Sequence, residues 1–261
     1  MSPRTTFIVG ISGLSSSGKT TLSRLLRGIF PSAFILHQDD FYLADSLIPV
    51  TASGAQDWDC AESIDWAAMS RALAWIRASG SLPLDLKSLQ DASPVGNGED
   101  LVGEEVVRRM REKVEMAAAA VGGVSVAILD GFLMLHEGSP VEAAMDSKLL
   151  LRVPYQVAKQ RRESRTGYVT IEGFWQDPPG YFDTIVWPNY VKEHRYLFVD
   201  EDVEGQLKPE IEAQRRVHTP QRLDDSIEKT LEWAVDILID ELKSSQQKSQ
   251  IERERNKKNS I

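Results

Sequence analysis

Gly13-Leu14-Ser15-Ser16-Ser17-Gly18-Lys19-Thr20 constrains this chain more than any other stretch. It fits G-x-x-x-x-G-K-[ST], the phosphate-binding P-loop. Thr6-Phe7-Ile8-Val9-Gly10-Ile11 precedes it, an apolar β-branched run that reads as a buried strand. Leu22, Leu25, Leu26 and Ile29 follow at helical spacing. Strand, glycine loop and helix start give the context in which backbone N–H groups and a helix N-terminus face nucleotide phosphates. Gly13, Ser15, Ser16, Ser17, Gly18, Lys19, Thr20 and Thr21 are therefore the expected nucleotide contacts. Lys19 is expected to reach the β- and γ-phosphates, and Thr20 to place its hydroxyl on Mg²⁺. A chance glycine-rich turn is the competing reading. At ordinary glycine usage it arises in roughly one chain in a hundred, before the flanking elements are counted.

The rest of the chain alternates. Ala33–Leu36, Val124–Leu129 and Leu149–Val153 read as strands. Trp66, Met69, Leu73 and Ile76 make a helical stripe, and charged helices are expected at about 103–120 and after Pro154. Leu223, Ile227, Leu231, Ala234, Leu238 and Leu242 mark a last amphipathic helix. The expected fold is α/β: a three-layer P-loop NTPase fold with a mostly parallel sheet, helices on both faces and a lid. Residues 1–243 read as one domain, with a mobile excursion at 79–100 and a lid and substrate loop at 161–190. Residues 244–261 are polar and read as a disordered tail. No internal repeat is visible.

The 261 residues suffice for one such domain with insertions. A formal net charge of −9 argues against general nucleic-acid or membrane-surface binding. A single cysteine, Cys60, excludes an intrachain disulfide and a cysteine zinc cluster. The first apolar run is short and is used by the first strand, so no signal peptide is expected. No apolar run approaches membrane-spanning length. The expected location is the cytoplasm, with the nucleus open as a second. The expected state is a monomer or weak dimer.

In parallel sheets ligands bind at the carboxyl ends of strands, so acids there carry weight. His37-Gln38-Asp39-Asp40-Phe41-Tyr42 follows the second strand, and Asp130-Gly131-Phe132 follows the third. Beside a P-loop, such acids hold Mg²⁺ or take the proton of an attacking hydroxyl. Asp130 closes the most apolar strand and reads as the metal-side acid, and Asp39 as the base. Sequence alone leaves open that division, and also whether Asp39 or Asp40 faces the site. Arg161 and Arg165 are one helical turn apart in Lys159–Arg165, placed to clamp phosphates as charge develops. The four histidines show no metal spacing and read as surface or structural.

With these residues in view the chain resembles the nicotinamide riboside kinases, within the P-loop nucleoside kinase group. The resemblance rests on the P-loop and on Gln38-Asp39-Asp40-Phe41, Trp58-Asp59 and Asp130-Gly131-Phe132-Leu133. It continues through Arg161-Arg162 with Arg165, and Pro179-Gly180-Tyr181-Phe182-Asp183 running to Val186-Trp187-Pro188. It implies transfer of the γ-phosphate of ATP to the 5′-hydroxyl of nicotinamide riboside, and also of nicotinic acid riboside, for NAD synthesis. ATP is then the co-substrate, Mg²⁺ the cofactor, and a small nucleoside the partner. By resemblance Lys19, Asp39 and Asp130 are catalytic, and Thr20 and Asp39 hold the metal. Arg161 and Arg165 engage ATP phosphates. Asp39, Asp40, Tyr42, Trp58, Asp59, Arg162 and Tyr168 bind the acceptor, with Asp59 and Arg162 on the ribose hydroxyls and Trp58 packed on the base. Adenine contacts are expected near Val217 to Pro220. The chain departs from the family pattern at Asp130, where the pattern has Glu, and at Trp58, where it has Tyr. A uridine or cytidine kinase is the alternative enzyme, and a non-catalytic nucleotide-sensing P-loop protein the alternative of another class.

Overall fold

The computed structural model describes residues 6–88, 98–117, 124–165, 167–169 and 173–258. Its centre is β1 (Thr6–Gly13), buried along its whole length. α1 (Lys19–Ile29) follows the P-loop, then β2 (Ala33–His37), α2 (Trp66–Ser79), a short α3 (Glu99–Val102) and α4 (Glu104–Met116). β3 (Ser125–Asp130), β4 (Ser147–Leu151) and α5 (Tyr155–Glu163) come next. A two-residue hairpin pairs β5 (Tyr168–Val169) with β6 (Phe174–Trp175). α6 (Trp187–His194), α7 (Pro209–Arg215), β7 (Val217–His218) and α8 (Ile227–Lys258) complete the chain.

The main sheet has the order β2-β3-β1-β4-β7, and every pairing is parallel. Parallel strands covered on both faces should be continuously apolar, as β1 and β3 are. Side chains alternate across the sheet, so Phe7, Val9 and Ile11 pack under α1, α4 and α8, whereas Ile8 packs with α2 on the other face. This is the expected three-layer α/β arrangement. Arg77 on α2 ties the layers at the sheet's amino end, donating to the Thr6 carbonyl and, at 2.8 Å, to Asp146. Asp146 also accepts from the Ile8 amide.

Several boundaries differ from the sequence reading. β4 begins at Ser147, because Lys148 is buried only with its ammonium donating to the Arg215 carbonyl at 2.7 Å. The stretch read as a lid and substrate loop to residue 190 is helical from Phe182 onward, first as a π-helical turn (Phe182–Val186) and then as α6. Pro188 lacks an N–H and crowds the preceding turn, which favours that wider turn. Of the 79–100 excursion, residues 89–97 lie outside the described residues; Leu82 and Leu86, nearer its start, pack against the core. The tail expected to be disordered is helical to Lys258, with 259–261 outside the described residues. Its Gln, Lys, Glu and Arg are good helix formers, and they extend a helix already nucleated and docked through Leu231, Leu238 and Leu242.

The docked and extended parts of α8 should separate in a stability measurement. Leu238 is fully buried, so Leu238→Ala should cost about 2–5 kcal/mol. That lowers Tm by roughly 5–15 °C for a domain of this size. Truncation after Ser244 should remove helical circular dichroism yet shift Tm by under about 2 °C, since the last buried apolar residue of α8 is Leu242.

Candidate active site

The P-loop geometry follows from one contact. Gly13 has φ 139°, and a Cβ there would sit 2.0 Å from the Leu151 carbonyl oxygen of β4. Only glycine lets β1 run this close to its neighbour before the chain turns. Ser16 (φ 68°) and Gly18 (φ 95°) then take left-handed conformations that wrap the loop. α1 starts at Lys19 with no side-chain cap, so its first N–H groups stay available to an anion. The hydroxyls of Ser16 and Ser17 are buried without a partner among the described residues. Buried polar groups left unpaired are costly, and phosphate oxygens would satisfy them.

Lys19 is buried and donates to the Leu14 carbonyl at 3.0 Å. Burial brings its pKa down to about 8, opposed by the negative charges of Asp130 and Asp39. Asp39 lies in the 3₁₀ turn Gln38–Phe41 that caps β2. Burial, with repulsion from Asp130, pushes its carboxyl up to about 6 against the attraction of Lys19. Asp130 ends β3 in register with His37, the last residue of β2. The two side chains are buried and meet at 3.2 Å, Nδ1 to Oδ2. His37 is held above its ordinary pKa: burial opposes this, and the hydrogen bond and charge of Asp130 outweigh burial. Asp40 shares the turn, half-buried, and adds negative charge beside His37 and Asp39. Gln38 fixes both acid-bearing turns at once, since its Oε1 accepts from the Phe132 and Leu133 amides at 2.8 and 3.1 Å. Gly131 is required there, because a Cβ would fall 2.6 Å from the Gln38 side chain.

The residues expected to bind the acceptor gather around Trp58 and Asp59. Arg162, in the last turn of α5, donates Nη1 and Nη2 to the two Asp59 oxygens at 3.0 Å each. It also donates Nε to Asp177 at 2.6 Å. The Asp59 carboxyl is raised by burial, which outweighs the lowering by Arg162. Trp58 packs edge-on to Tyr42, with ring centroids 5.3 Å apart, and Tyr42 stacks with Phe132. Tyr181 secures this segment: its hydroxyl donates to the Gln56 carbonyl and accepts from the Trp58 amide, both at 3.0 Å. Asn189 on α6 donates to both oxygens of Asp57 at 2.9 Å. The selective Pro-Gly-Tyr-Phe-Asp run and α6 are thus the buttress of the Trp58–Asp59 wall.

The expected residues otherwise converge on the carboxyl ends of the strands. Arg161 donates to the Ser16 carbonyl at 3.4 Å. Arg165 lies past the end of α5 instead of one turn along it, yet its charge still acts on Lys19. Thr20 and Thr21 open α1, half-buried. Tyr168 pairs with Trp175 through the backbone, and its side chain lies outside the described residues. Arg152 braces the 217–220 segment, donating to Thr219 Oγ1 at 2.9 Å and to the Pro220 carbonyl at 3.2 Å. Sequence reasoning missed Trp175 and Asp177, and it left His37 and Gln38 without a role at the site. The aromatic-rich stretch before Pro178-Pro179 was the available signal for the first pair, and the direct junction with Asp39 for the second.

The donors fit Mg²⁺. Among the described residues no group of three or more His, Cys, Asp or Glu side chains forms a metal cage. Mg²⁺ is held differently in phosphoryl-transfer sites, by one or two side-chain oxygens completed by phosphates and water. The Thr20 hydroxyl and the Asp39 carboxylate could supply such oxygens.

No family model matches the chain. An unliganded sugar kinase from Janibacter sp. HTCC2649 aligns over 89% of this chain and 94% of its own, at TM-score 0.41 and 17% identity, a likeness too slight to carry an argument. The sequence relatives are much nearer. A nicotinamide riboside kinase of Schizosaccharomyces pombe is 37% identical over 241 residues, covering 92% of this chain and 99% of its own. One from Eremothecium gossypii is 39% identical over 208 residues, 78% of this chain and 82% of its own. Nicotinamide riboside kinase 1 of Rattus norvegicus is 30% identical over 193 residues, 74% and 80% respectively. Similarity of this degree over most of both chains means that the chain belongs to the nicotinamide riboside kinase family.

Proposed function

We propose that the chain transfers the γ-phosphoryl group of ATP to the 5′-hydroxyl of nicotinamide riboside, and also accepts nicotinic acid riboside, as a step in NAD biosynthesis. One observation carries the assignment of roles. A Lys19–Asp39–Asp130 cluster, with Lys19 and Asp130 buried and Asp39 half-buried, sits between the phosphate loop and a wall made of Trp58, Asp59 and Arg162. A nucleotide-sensing protein needs the first part only. The aromatic and acidic wall supports a sugar-bearing cationic acceptor over the neutral ring of uridine or cytidine.

In this scheme Asp39 accepts the proton of the 5′-hydroxyl as it attacks phosphorus. Lys19 shifts from the Leu14 carbonyl toward the β- and γ-phosphates, where charge grows in the transition state. Arg161 and Arg165 engage the same phosphates from the α5 side. Asp59 accepts from the ribose hydroxyls, and Arg162 holds that carboxylate in place. Trp58 packs against the base. The Thr20 hydroxyl and the Asp39 carboxylate would hold Mg²⁺, which would supply charge neutralisation at the phosphates. Asp130 is a methylene shorter than the Glu of the family pattern, and its hydrogen bond to His37 holds it at the end of β3. Residues 1–243 act as one catalytic domain on a small nucleoside and ATP, without nucleic acid or membrane, as a monomer or weak dimer in the cytoplasm. No helix among the described residues is long and apolar enough to cross a membrane.

Lys19→Ala should lower kcat by about 100-fold or more. Asp39→Ala should lower it by about 10²–10⁴. Both should stay folded by circular dichroism, and Asp40→Ala should retain most turnover; the reverse ranking of Asp39 and Asp40 would invert the assignment of the base.

The pH dependence of kcat/KM reports the free enzyme. A base must be ionised, so activity should fall as pH drops through about 6, the value to which Asp39 is raised. Lys19 must be charged, so activity should fall again as pH rises through about 8. In kcat, measured with Mg²⁺ and phosphates in place, both limbs should move outward. A kcat/KM profile flat from pH 5 to 7 would exclude Asp39 as the base (those two pH values bracket its pKa of about 6).

A further inference from the structure

Lys19 and Asp130 are both buried, and the charge of Asp130 acts on Lys19 ahead of that of Asp39. A buried ammonium and a buried carboxylate in each other's field ordinarily close into an ion pair, because neither is solvated by water. Here they do not. Among the described residues no hydrogen bond or ion pair joins Lys19 to either acid. Its ammonium donates instead to the neutral Leu14 carbonyl at 3.0 Å. Asp130 is taken by a rival donor, His37, whose Nδ1 lies 3.2 Å from Oδ2.

The strand register puts that rival in place. His37 ends β2 and Asp130 ends β3, directly opposite each other in parallel pairing. Their side chains leave the same face of the sheet, one strand spacing or about 4.8 Å apart. Both side chains are about 95% buried, so water does not compete for the contact. Gln38 already holds the backbone beyond Asp130 through the Phe132 and Leu133 amides. What that leaves free is the direction of the Asp130 carboxyl, and the imidazole of His37 fixes it.

We propose that His37 is a positioning residue that acts through Asp130: by occupying Oδ2 it withholds the carboxylate from Lys19 and leaves the ammonium on a neutral carbonyl. ATP then meets a lysine that is ready to move. Binding exchanges an ammonium–carbonyl hydrogen bond for a charge-assisted ammonium–phosphate one, with no buried ion pair to break. Without His37 the carboxylate is free to turn onto Lys19, and the phosphates must compete with it. This inference rests on the kinase reading, in which Lys19 serves the phosphates of ATP.

The test titrates the full-length parent, His37→Ala and His37→Asn with MgATP by calorimetry, without acceptor, each with Asp130 kept and with Asp130→Asn. With Asp130 kept, His37→Ala should weaken MgATP about tenfold, the size of one hydrogen bond to a charged group. Its KM for nicotinamide riboside should stay within about twofold. His37→Asn, whose amide N–H replaces the Nδ1 donor, should recover most of the MgATP affinity. In the Asp130→Asn background His37→Ala should change MgATP affinity by less than about twofold, since no carboxylate remains to capture the ammonium. A residue that only rivets two strand ends would weaken both substrates in both backgrounds and follow Tm. If His37→Ala does not fold, His37→Val, β-branched and suited to a strand end, takes its place with the same expectations. MgATP affinity equal to the parent's in the variant lacking His37, or an equal loss in both Asp130 backgrounds, overturns the proposal and leaves the kinase reading standing. A parent that binds no MgATP removes the kinase reading and this inference with it.

Discussion

The close approach of Gly13 to the Leu151 carbonyl is the constraint on which the site depends. β1 is the middle strand of an all-parallel sheet, and the chain leaves it by the P-loop with no room for a side chain at the exit. That exit sets where α1 begins. It therefore sets where Lys19 stands relative to the ends of β2 and β3, and so the meeting of Lys19, Asp39 and Asp130. A Cβ at Gly13 would push against backbone, which cannot swing aside as a flexible side chain does.

What gathers at that point is a set of opposed charges in a water-poor setting. Burial alone would strip Lys19 of its proton and keep Asp39 protonated, and each group partly offsets the penalty of the other. The result is a lysine near 8 and a carboxyl near 6, both within reach of a neutral-pH reaction. The hydrogen bond between His37 and Asp130 sits directly behind this cluster. The buried Gln38 side chain ties the two acid-bearing turns together by accepting from two backbone amides of the turn after Asp130.

The acceptor wall is built on different principles. Asp59 and Asp177 share Arg162, an arrangement in which losing the arginine would leave two neighbouring carboxylates uncompensated. Such arrangements give geometry more than stability. Here the geometry extends outward, from Asp59 through Arg162 to Asp177 and Trp175, and the Tyr181 hydroxyl closes it back onto the Trp58 amide. Segments more than a hundred residues apart in sequence are brought to one small surface.

The sequence alone determined the parallel α/β class, the P-loop, the strand-end acids and the family resemblance, because each rests on local signals. A glycine loop of fixed spacing and an acid directly after an apolar run are each written in a few consecutive residues. It also named Trp58, Asp59 and Arg162, through the resemblance. It did not determine that Gln38 bridges two turns, that His37 meets Asp130, or that Trp175 meets Trp58 and Asp177 meets Arg162, since each of these needs a partner distant in sequence. The tail shows the converse. Its polar composition reads locally as disorder, but the docked first half of α8 supplies the nucleus that a lone polar segment lacks, and the helix continues to Lys258. Tertiary structure decided these points because burial and pairing, not composition, fix which polar groups meet and which helices persist.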